Sequence, residues 1–427
     1  MRTLYQFLWH AALPWLPLRL WWRGRREPGY REKIGERFGR YPAANTTTDI
    51  VWIHAVSLGE TRAAAPLVDR VLREMPDATV LLTHMTATGR AAGAELAKDR
   101  VVQAWLPYDV PFAVRAFLAH WKPRLGILME TEVWPNLVGA CSESGIPLFL
   151  VNARLSERSL RGYRRFASVT RPMFAALAGV AAQTDADARR LREAGARDVA
   201  VTGNLKFDVR LDDAVRSRGE AMRALFGAVR PQWVAASTRD GEEALILDAL
   251  AQHPLPGNTL TAIVPRHPQR FDEVAALFEA RGLAYARRSA NVPVPADTHF
   301  VLGDSLGELL AYYAAADVAF VGGSLLPLGG QNLIEPIAVG TPTLIGPHTF
   351  NFAEAASQAV TAQAALRVAD AHALVAEIDA LLRDPARRSR MHDAALAFHA
   401  AHRGAIDRLW AWLAPRLARD VSRSGAD

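Results

Sequence analysis

The chain has 427 residues, and its 50 Lys and Arg side chains outnumber its 44 Asp and Glu side chains by six. That whole excess lies in residues 1–41, which contain nine basic and three acidic side chains. A protein that coats nucleic acid would spread positive charge over a folded surface, so this distribution argues against that class. The length predicts two domains or three. The single cysteine, Cys141, excludes an internal disulfide, and we expect it to be a small buried side chain.

Residues 1–41 are predicted to be a membrane-associated segment. Residues 4–22 are mostly apolar over about the length that spans a bilayer, but Pro14 and Pro17 interrupt the run. Four of the eleven tryptophans lie here beside arginines, a combination that suits the lipid headgroup layer. We therefore expect an interfacial anchor; a single membrane span and an ordinary capping helix are the alternatives. In either membrane arrangement, residues 23–40 lie on the cytoplasmic side.

Beyond residue 48, short apolar runs alternate with amphipathic stretches, a pattern typical of parallel α/β layers. The predicted strands of the first half are residues 50–56, 79–84, 125–129, 147–151, 180–183 and 199–202. Those of the second half are residues 233–236, 259–264, 300–303, 318–321 and 342–345.

These strands predict two open α/β domains with a ligand cleft between the carboxyl ends of their sheets. We place the first domain at residues 42–210 and the second at residues 211–427, and we expect the last helical stretch to pack back on the first domain.

Three segments of the first half carry polar side chains directly after a predicted strand. Glu60 follows the first strand, where it is either a favourable acid in the first helical turn or a general base. Glu130 and Glu132 follow another strand, where two carboxylates are costly to bury without a function. Lys206 is one of four lysines beside 46 arginines, so it is either a surface lysine or a compact ammonium wanted for a developing negative charge.

The second half has comparable positions. Arg266 and His267 follow a strand, where a phosphate could bind, and residues 304–309 predict a helix start with a capping carboxylate. The glycine pairs of residues 322–324 and 329–336 suit close backbone approach to a nucleotide phosphate, with Glu335 available for ribose hydroxyls. Asp185 and Asp187 resemble a metal-binding Asp-x-Asp, but Thr184 before them favours a helix N-cap with acids in the first turn. The sequence contains no HExxH, no clustered His or Cys ligands and no P-loop, so nothing in it requires a metal.

Together these segments resemble the 3-deoxy-D-manno-octulosonic acid (Kdo) transferases of lipopolysaccharide assembly. The resemblance extends from residues 29–31 to residues 346–352. The motifs that carry it are HAxSxGE at residues 54–60, METExWPN at 129–136, GNLKFD at 203–208, PRHPxRF at 265–271 and GGxNxxEP at 329–336.

The resemblance implies a two-domain GT-B glycosyltransferase that needs no metal or cofactor. It implies transfer of Kdo from CMP-Kdo to the 6′-hydroxyl of the lipid A precursor, lipid IVA, at the cytoplasmic face of the inner membrane. The implied partners are CMP-Kdo, the lipid A precursor and anionic inner-membrane lipids, with no nucleic acid.

The resemblance also implies residue roles. Glu60 corresponds to the general base, and Glu130 and Lys206 correspond to transition-state stabilisers. The implied CMP contacts are Arg266, His267, Gly307, Glu308, Leu309, Asn332, Leu333, Ile334 and Glu335. The chain departs from the family pattern at Ala236, Arg239 and Gln331.

Two other functions agree with the residues alone. One is a GT-B enzyme that uses a UDP-sugar. The other is a lipid-phosphate-binding or membrane-tethering protein with a degenerate sugar-nucleotide fold, against which the acids and bases at successive strand ends argue.

Overall fold

The computed structural model describes residues 2–25, 27–41, 49–96, 99–209, 211 and 213–421. The chain folds as two compact units, one formed by Met1–Asp208 with Gly404–Asp427 and the other by Val209–Arg403. Each unit contains one seven-stranded sheet in which the neighbouring strands are parallel. This is the predicted fold class, two Rossmann-like domains.

In the first unit, the sheet has the order β3-β2-β1-β4-β5-β6-β7. Its strands are β1 (Ile50–His54), β2 (Thr79–His84), β3 (Val101–Trp105), β4 (Leu125–Met129), β5 (Leu148–Ala153), β6 (Gly179–Ala182) and β7 (Val199–Val201). The helices are α1 (Arg2–Ala12), α2 (Trp15–Arg23), α3 (Leu58–Glu74), α4 (Ala87–Leu96), α5 (Pro111–Trp121), α6 (Pro135–Glu143), α7 (Glu157–Arg165), α8 (Ala167–Ala175) and α9 (Asp185–Ala194). Short 3₁₀ helices are Pro28–Arg31, Ile34–Phe38 and Leu205–Phe207.

In the second unit, the sheet has the order β10-β11-β9-β8-β12-β13-β14. Its strands are β8 (Gln232–Thr238), β9 (Leu260–Pro265), β10 (Tyr285–Arg287), β11 (Phe300–Leu302), β12 (Val318–Val321), β13 (Thr343–Ile345) and β14 (Ala365–Arg367). The helices are α10 (Asp213–Phe226), α11 (Glu242–Gln252), α12 (Phe271–Ala280), α13 (Leu309–Ala315), α14 (Ile334–Ala338), α15 (Ala353–Thr361), α16 (Ala371–Arg383) and α17 (Pro385–His402). Short 3₁₀ helices are Pro268–Arg270, Arg288–Ala290 and Phe350–Phe352.

All eleven predicted strands are present, and their apolar runs reflect burial on both faces of a parallel sheet. The prediction missed β3, β10 and β14, each of which lies at a sheet edge. These three contain half-buried or exposed positions, so their sequences lack the continuous apolar run of a central strand. Cys141 is buried in the first core, as predicted.

The last helix, α18 (Ala405–Val421), belongs to the first unit. The predicted boundaries placed residues 211–427 together, with the last helical stretch expected to pack back on the first domain. Leu409 and Leu413 are fully buried in a core cluster of that unit. The carboxylate of Asp208 accepts hydrogen bonds from the backbone N–H groups that open α18, including those of Ala405 and Ile406. The helix start is thus capped by the residue that ends the first half of the chain.

The apolar run of residues 4–22 forms α1 and α2 as two helices of 11 and 9 residues, not one. Leu16 and Leu20 of α2 are buried against Tyr30 and neighbouring side chains. The opposite face of α2 exposes Trp15, Leu18 and Trp22. Within the described segments, no helix is long and apolar enough to cross a membrane.

One basic side chain of residues 1–41 is not part of a charged surface. Arg37 is 1% exposed, and its guanidinium lies 3.8 Å from the centroid of the Trp105 ring. It also donates a hydrogen bond to the carbonyl oxygen of Met85, and burial lowers its pKa to about 10. Arg37 therefore joins the N-terminal segment to the buried interior of the first unit. The positive charge on the surface of the segment comes from its other basic residues.

Two Gly→Ala substitutions test the packing of the first unit. A Cβ atom at Gly126 in β4 would lie 2.5 Å from Leu148 Cδ1 and 2.6 Å from Trp52 Cε3. We expect Gly126→Ala to lower the free energy of unfolding by about 1–3 kcal/mol, the usual cost of overpacking. A Cβ atom at Gly162 in α7 meets nothing within 4 Å, so the matched variant Gly162→Ala is expected to add about 0.5–1 kcal/mol. Denaturant unfolding measures both; equal effects would contradict the packing.

Candidate active site

Glu60 lies in the first turn of α3, directly after the loop that follows β1. Its carboxylate accepts hydrogen bonds from the Val56 backbone N–H at 2.8 Å and from the Ser57 hydroxyl at 3.2 Å. The Ser57 hydroxyl oxygen in turn accepts from the Glu60 N–H. This resembles a capping box, except that the carboxylate accepts from the N–H of Val56 and not from that of the N-cap residue Ser57. The helix cap therefore fixes the Glu60 carboxylate at the carboxyl edge of the sheet.

A second segment, residues 84–89, holds the loop that carries Glu60. His84 Nδ1 lies 3.0 Å from the Ala55 carbonyl oxygen, and the Thr86 hydroxyl donates to the Val56 carbonyl oxygen at 2.9 Å. A Cβ atom at Gly89 would lie 2.8 Å from that same Val56 oxygen, so the close approach requires glycine. These residues were not predicted, although their position after the strand β2 was a signal.

His84 acts in this clamp as a neutral side chain. Burial lowers its pKa to about 4, so the imidazole is uncharged at neutral pH. A neutral ring can donate to the Ala55 carbonyl only when its proton is on Nδ1, so this contact selects the tautomer.

Glu130 follows β4, the neighbour of β1 in the sheet. Its side chain is buried. Its backbone is left-handed, with φ 57°, a conformation that is unfavourable for residues other than glycine. Glu130 Oε1 lies 2.8 Å from Lys206 Nζ, and Oε2 accepts a hydrogen bond from Arg154 Nε at 3.0 Å. One buried carboxylate is thus shared by two cations, which offsets the cost of burying its charge.

Lys206 lies in the short 3₁₀ helix Leu205–Phe207. Asn204 Oδ1 accepts from the Lys206 N–H, and Asn152 Oδ1 accepts from the Leu205 N–H, both at 3.0 Å. Asn152 belongs to β5 and has a left-handed backbone, with φ 50°. Asn152 and Arg154 were not predicted; the polar sequence NAR at the end of a buried strand was the available signal.

The ionisation of Glu60 depends on the charge of Glu130. Burial raises the pKa of Glu60 to about 7, and the negative charge of Glu130 adds to the rise. Glu132 contributes in the same direction, and burial also raises its own pKa. A carboxylate with a pKa near neutrality is suited to accept a proton at physiological pH.

Glu60, Glu130 and Lys206 come from elements on either side of the topological switch point of the sheet, which lies between β1 and β4. β1 and β4 pair in parallel although they are not consecutive strands, and Glu60 and Glu130 follow their carboxyl ends. Open α/β sheets bind their ligands at such a point. The structure therefore brings the predicted residues Glu60, Glu130 and Lys206 into one group, without assigning their roles.

In the second unit, a basic cluster follows the ends of β8 and β9. It consists of Arg239, Arg266, His267 and Arg270. Burial lowers the pKa of His267, and the positive charges of Arg239, Arg266 and Arg270 lower it further. The structure thus places the predicted Arg266 and His267 beside Arg239 and Arg270, and the charge of Arg270 is offset by ion pairs with Glu243 at 2.6 Å and Glu273 at 3.1 Å. The guanidinium groups of such a cluster could bind an anion.

The glycine loop after β12 has a different role from the one that the sequence suggested. Glu242 of α11 is fully buried, and its carboxylate accepts from the backbone N–H groups of Arg239, Gly323, Ser324 and Leu325. The N–H groups of residues 323–325 are therefore occupied by a protein carboxylate, and the expectation that they bind phosphate is wrong. Glu242 went unrecognised because a glutamate at a helix start also suits the helix dipole.

The predicted residues near Glu335 are mutually hydrogen bonded. Asn332 Nδ2 donates to Glu335 Oε1, and Asn332 Oδ1 accepts from the Ile334 N–H, both at 3.1 Å. The side chains of Leu333 and Ile334 are buried, which leaves their backbone groups for any ligand contact. Gln331, where the family pattern differs, accepts a hydrogen bond from Arg266 Nε at 3.2 Å.

The predicted helix start at residues 304–309 is partly wrong. Helix α13 begins after Glu308, and Asp304 instead accepts hydrogen bonds from the backbone N–H and hydroxyl of Ser289. Glu308 forms an ion pair with Arg288 at 2.9 Å. Gly307 has φ 76°, which favours glycine, and a Cβ atom there would meet nothing within 4 Å.

No group of three or more His, Cys, Asp or Glu side chains that could hold a metal ion occurs within the described residues.

The ionisation of Glu60 can be measured directly by ¹³C NMR titration of its side-chain carboxyl group. We expect a midpoint near pH 7 in the folded protein. Glu130→Gln removes a like charge and should move the midpoint to lower pH, and Glu132→Gln should move it in the same direction.

Glu157→Gln is the control for this titration, because Glu157 lies exposed at the start of α7. It should leave the midpoint unchanged. A midpoint at the ordinary glutamate value in the wild-type protein would refute the raised pKa.

Comparison with known proteins connects this geometry to a family. The family model described as 3-Deoxy-D-manno-octulosonic-acid transferase (kdotransferase) matches residues 32–209, and the model of glycosyl transferases group 1 matches residues 284–397. The chain is 49% identical to the 3-deoxy-D-manno-octulosonic acid transferase of Bordetella pertussis, over 96% of this chain and 99% of that protein. It is 37% identical to the enzyme of the same name from Haemophilus influenzae, over 93% of this chain and 94% of that protein.

Among solved structures, HepE from Anabaena in complex with UDP matches with a TM-score of 0.57 and 16% identity, covering 87% of this chain and all of that one. At that identity the match supports the fold alone, which is the GT-B glycosyltransferase fold of two Rossmann-like domains. The near-complete coverage at 49% identity establishes more: this chain belongs to the 3-deoxy-D-manno-octulosonic acid transferase family.

Proposed function

We propose that the protein transfers Kdo from CMP-Kdo to the 6′-hydroxyl of the lipid A precursor, lipid IVA, in lipopolysaccharide assembly, with Glu60 as the general base. The observation that carries this proposal is the pKa of Glu60, raised to about 7 beside the ion pair of Glu130 and Lys206. Membership of the transferase family supports the choice of sugar.

In the proposed step, Glu60 removes the proton of the acceptor hydroxyl while its oxygen attacks the anomeric carbon of Kdo. The bond between that carbon and the phosphate oxygen of CMP-Kdo breaks, and its electron pair leaves with CMP. Lys206 would offset the negative charge that develops, and Glu130 would hold Lys206 in place or offset positive charge on the sugar. Residues 84–89 and Asn152 act indirectly, because they fix the backbone that carries the base and the lysine.

We further propose that the second unit binds the CMP part of the donor. The basic cluster would bind the phosphate, since guanidinium groups recognise phosphate through paired hydrogen bonds. Asn332 and Glu335, with the backbone of residues 307–309 and 333–334, would bind the ribose and base. Glu242 would act through the loop 323–325 that it organises.

Substitution of the base tests the proposal. Glu60→Gln should lower Kdo transfer at least about a hundredfold, the lower end of the range for a positioned general base. It should still bind CMP, measured as an increase in Tm, because the proposed CMP contacts lie elsewhere. The product mass after incubation with CMP-Kdo and lipid IVA measures transfer.

Glu157→Gln serves as the matched control and should keep full activity. Near-normal turnover of Glu60→Gln would sink the assignment of the base. Stabilisation of the wild-type protein by UDP but not by CMP would instead favour a UDP-sugar enzyme.

We also propose that the protein works at the cytoplasmic face of the inner membrane, attached through α1 and α2. The outer face of α2 exposes Trp15 and Trp22, of which 69% and 63% are accessible. The guanidinium of Arg25 lies 4.2 Å from the centroid of the exposed Trp21 ring. Exposed indole rings beside arginines are suited to the headgroup layer of an anionic bilayer.

Charge removal from α2 and its C-terminal end tests this attachment. Arg19→Gln/Arg23→Gln/Arg25→Gln should weaken binding to phosphatidylglycerol-containing vesicles by roughly a hundredfold, at about 1 kcal/mol for each basic residue near the surface. High salt should remove most of the difference from the wild-type protein. Vesicle cosedimentation measures binding, and CMP affinity should not change.

The control variant Arg73→Gln/Arg115→Gln/Arg216→Gln removes the same charge from exposed positions on three other helices. It should bind the vesicles as the wild-type protein does. Equal losses in both variants would mean that net charge, not the N-terminal segment, governs attachment.

A further inference from the structure

Helix α7 carries three arginines that the proposed mechanism does not use: Arg158, Arg161 and Arg165, called here the arginine stripe. At about 100° per residue, positions i, i+3 and i+7 lie within roughly 60° of one another on a helix. The opposite side of α7 packs into the first core, where Leu160 is buried and Tyr163 is half-buried. The stripe therefore faces solvent, and all three of its residues are exposed.

The positive charge of the stripe is not neutralised by neighbouring carboxylates of the described residues. Its three arginines have no carboxylate partner within the described residues, whereas the neighbouring Arg164 forms an ion pair with Glu193. Residues 154–171 contain six arginines and one acidic side chain. Phe166, which directly follows the stripe, is 55% exposed. The near-neutral total of residues 42–427 hides this local concentration.

The stripe lies beside the carboxylates of the site. Arg154, on the connection that leads into α7, donates to Glu130. The pKa of Tyr163 on α7 is raised by burial and then by the charge of Glu132, which places that carboxylate near the helix. Arg158 lies four residues along the chain from Arg154, so the stripe begins a short stretch of chain from the Glu130 ion pair, and it extends along α7 for about 10 Å.

Residues 130–136, which include Glu130 and Glu132, also contact α1. The ring of Trp134 lies 6.3 Å from the ring of Trp9 in α1, and Trp134 Nε1 donates to Glu132 at 3.0 Å. Residues 130–136 are therefore bordered by an aromatic, apolar helix and by a basic helix. A ligand that reaches Glu60 between such neighbours matches them best when it is both lipidic and anionic.

We propose that the arginine stripe binds a phosphate group of the lipid acceptor. This rests on the proposed function, in which the acceptor hydroxyl must reach Glu60 and the remainder of the acceptor must lie against adjacent elements of the first unit. The proposed function assigns the phosphate of the donor to the basic cluster of the second unit, so the stripe is not needed for it. Guanidinium groups bind phosphate through paired, charge-assisted hydrogen bonds, for which three adjacent arginines are well suited.

The test is binding of two acceptor lipids to Arg158→Gln/Arg161→Gln/Arg165→Gln. One lipid is lipid IVA and the other is the same lipid with both phosphates removed, each in micelles of neutral detergent. We expect the Kd for lipid IVA to rise at least about tenfold, the loss expected when charge-assisted hydrogen bonds are removed. The Kd for the dephosphorylated lipid should be the same as in the wild-type protein.

Two further variants control this experiment. Arg73→Gln/Arg115→Gln/Arg216→Gln, with the same change in net charge, should keep the wild-type Kd for both lipids. Arg158→Lys/Arg161→Lys/Arg165→Lys keeps the charge but not the paired geometry, so its Kd should lie between those of the wild-type protein and the glutamine variant. Because glutamine is a good helix former, α7 should persist, and circular dichroism checks this.

Three results would overturn the proposal: an unchanged Kd for lipid IVA, equal losses for both lipids, or a loss confined to binding of anionic vesicles. The last would assign the stripe to bulk membrane lipid. Failure of the proposed function gives a separate result, since a wild-type protein that makes no Kdo product can still be assayed for binding of the two lipids.

Discussion

The first unit depends on one buried carboxylate, that of Glu130. Burying a charge costs several kcal/mol unless partners replace the lost water, and here Lys206 and Arg154 do so. The partners come from different strand ends, so their backbones must be fixed. Glu130 and Asn152 both adopt left-handed backbone conformations at the carboxyl ends of β4 and β5. The same charge raises the pKa of Glu60, which links the ion pair to the proposed base.

The second unit uses a buried carboxylate for another purpose. Glu242 accepts hydrogen bonds from four backbone N–H groups and thereby shapes the loop after β12. One of these N–H groups belongs to Arg239, a member of the basic cluster. In the first unit the carboxylate holds a cation in place; in the second it orders a loop beside a cluster of cations. Both lie at the carboxyl edge of a parallel sheet, where strand ends leave backbone groups that need partners.

The N-terminal segment is part of the fold as well as a surface. Arg37 packs on Trp105 and binds the carbonyl oxygen of Met85, inside the segment that clamps the loop before Glu60. Trp9 packs near Trp134, beside the other carboxylates. The proposed membrane attachment is thus built onto the same elements that hold the site, and the arginine stripe extends that basic character along the first unit.

Sequence alone determined the α/β class, the central strands and the positions of Glu60, Glu130 and Lys206. Buried parallel strands are recognisable as apolar runs, and the polar residues that follow each run mark the loop at the carboxyl end of the strand. Sequence alone did not find the edge strands β3, β10 and β14, whose composition is mixed. The predicted domain boundaries grouped α18 with the second half of the chain, although the last helical stretch was expected to pack back on the first domain. Only the tertiary structure decided that the N–H groups of residues 323–325 belong to Glu242 and that Arg154 and Asn152 position the ion pair. Those contacts join residues far apart in the chain, and local spacing carries no information about which distant partner satisfies a buried charge or N–H group.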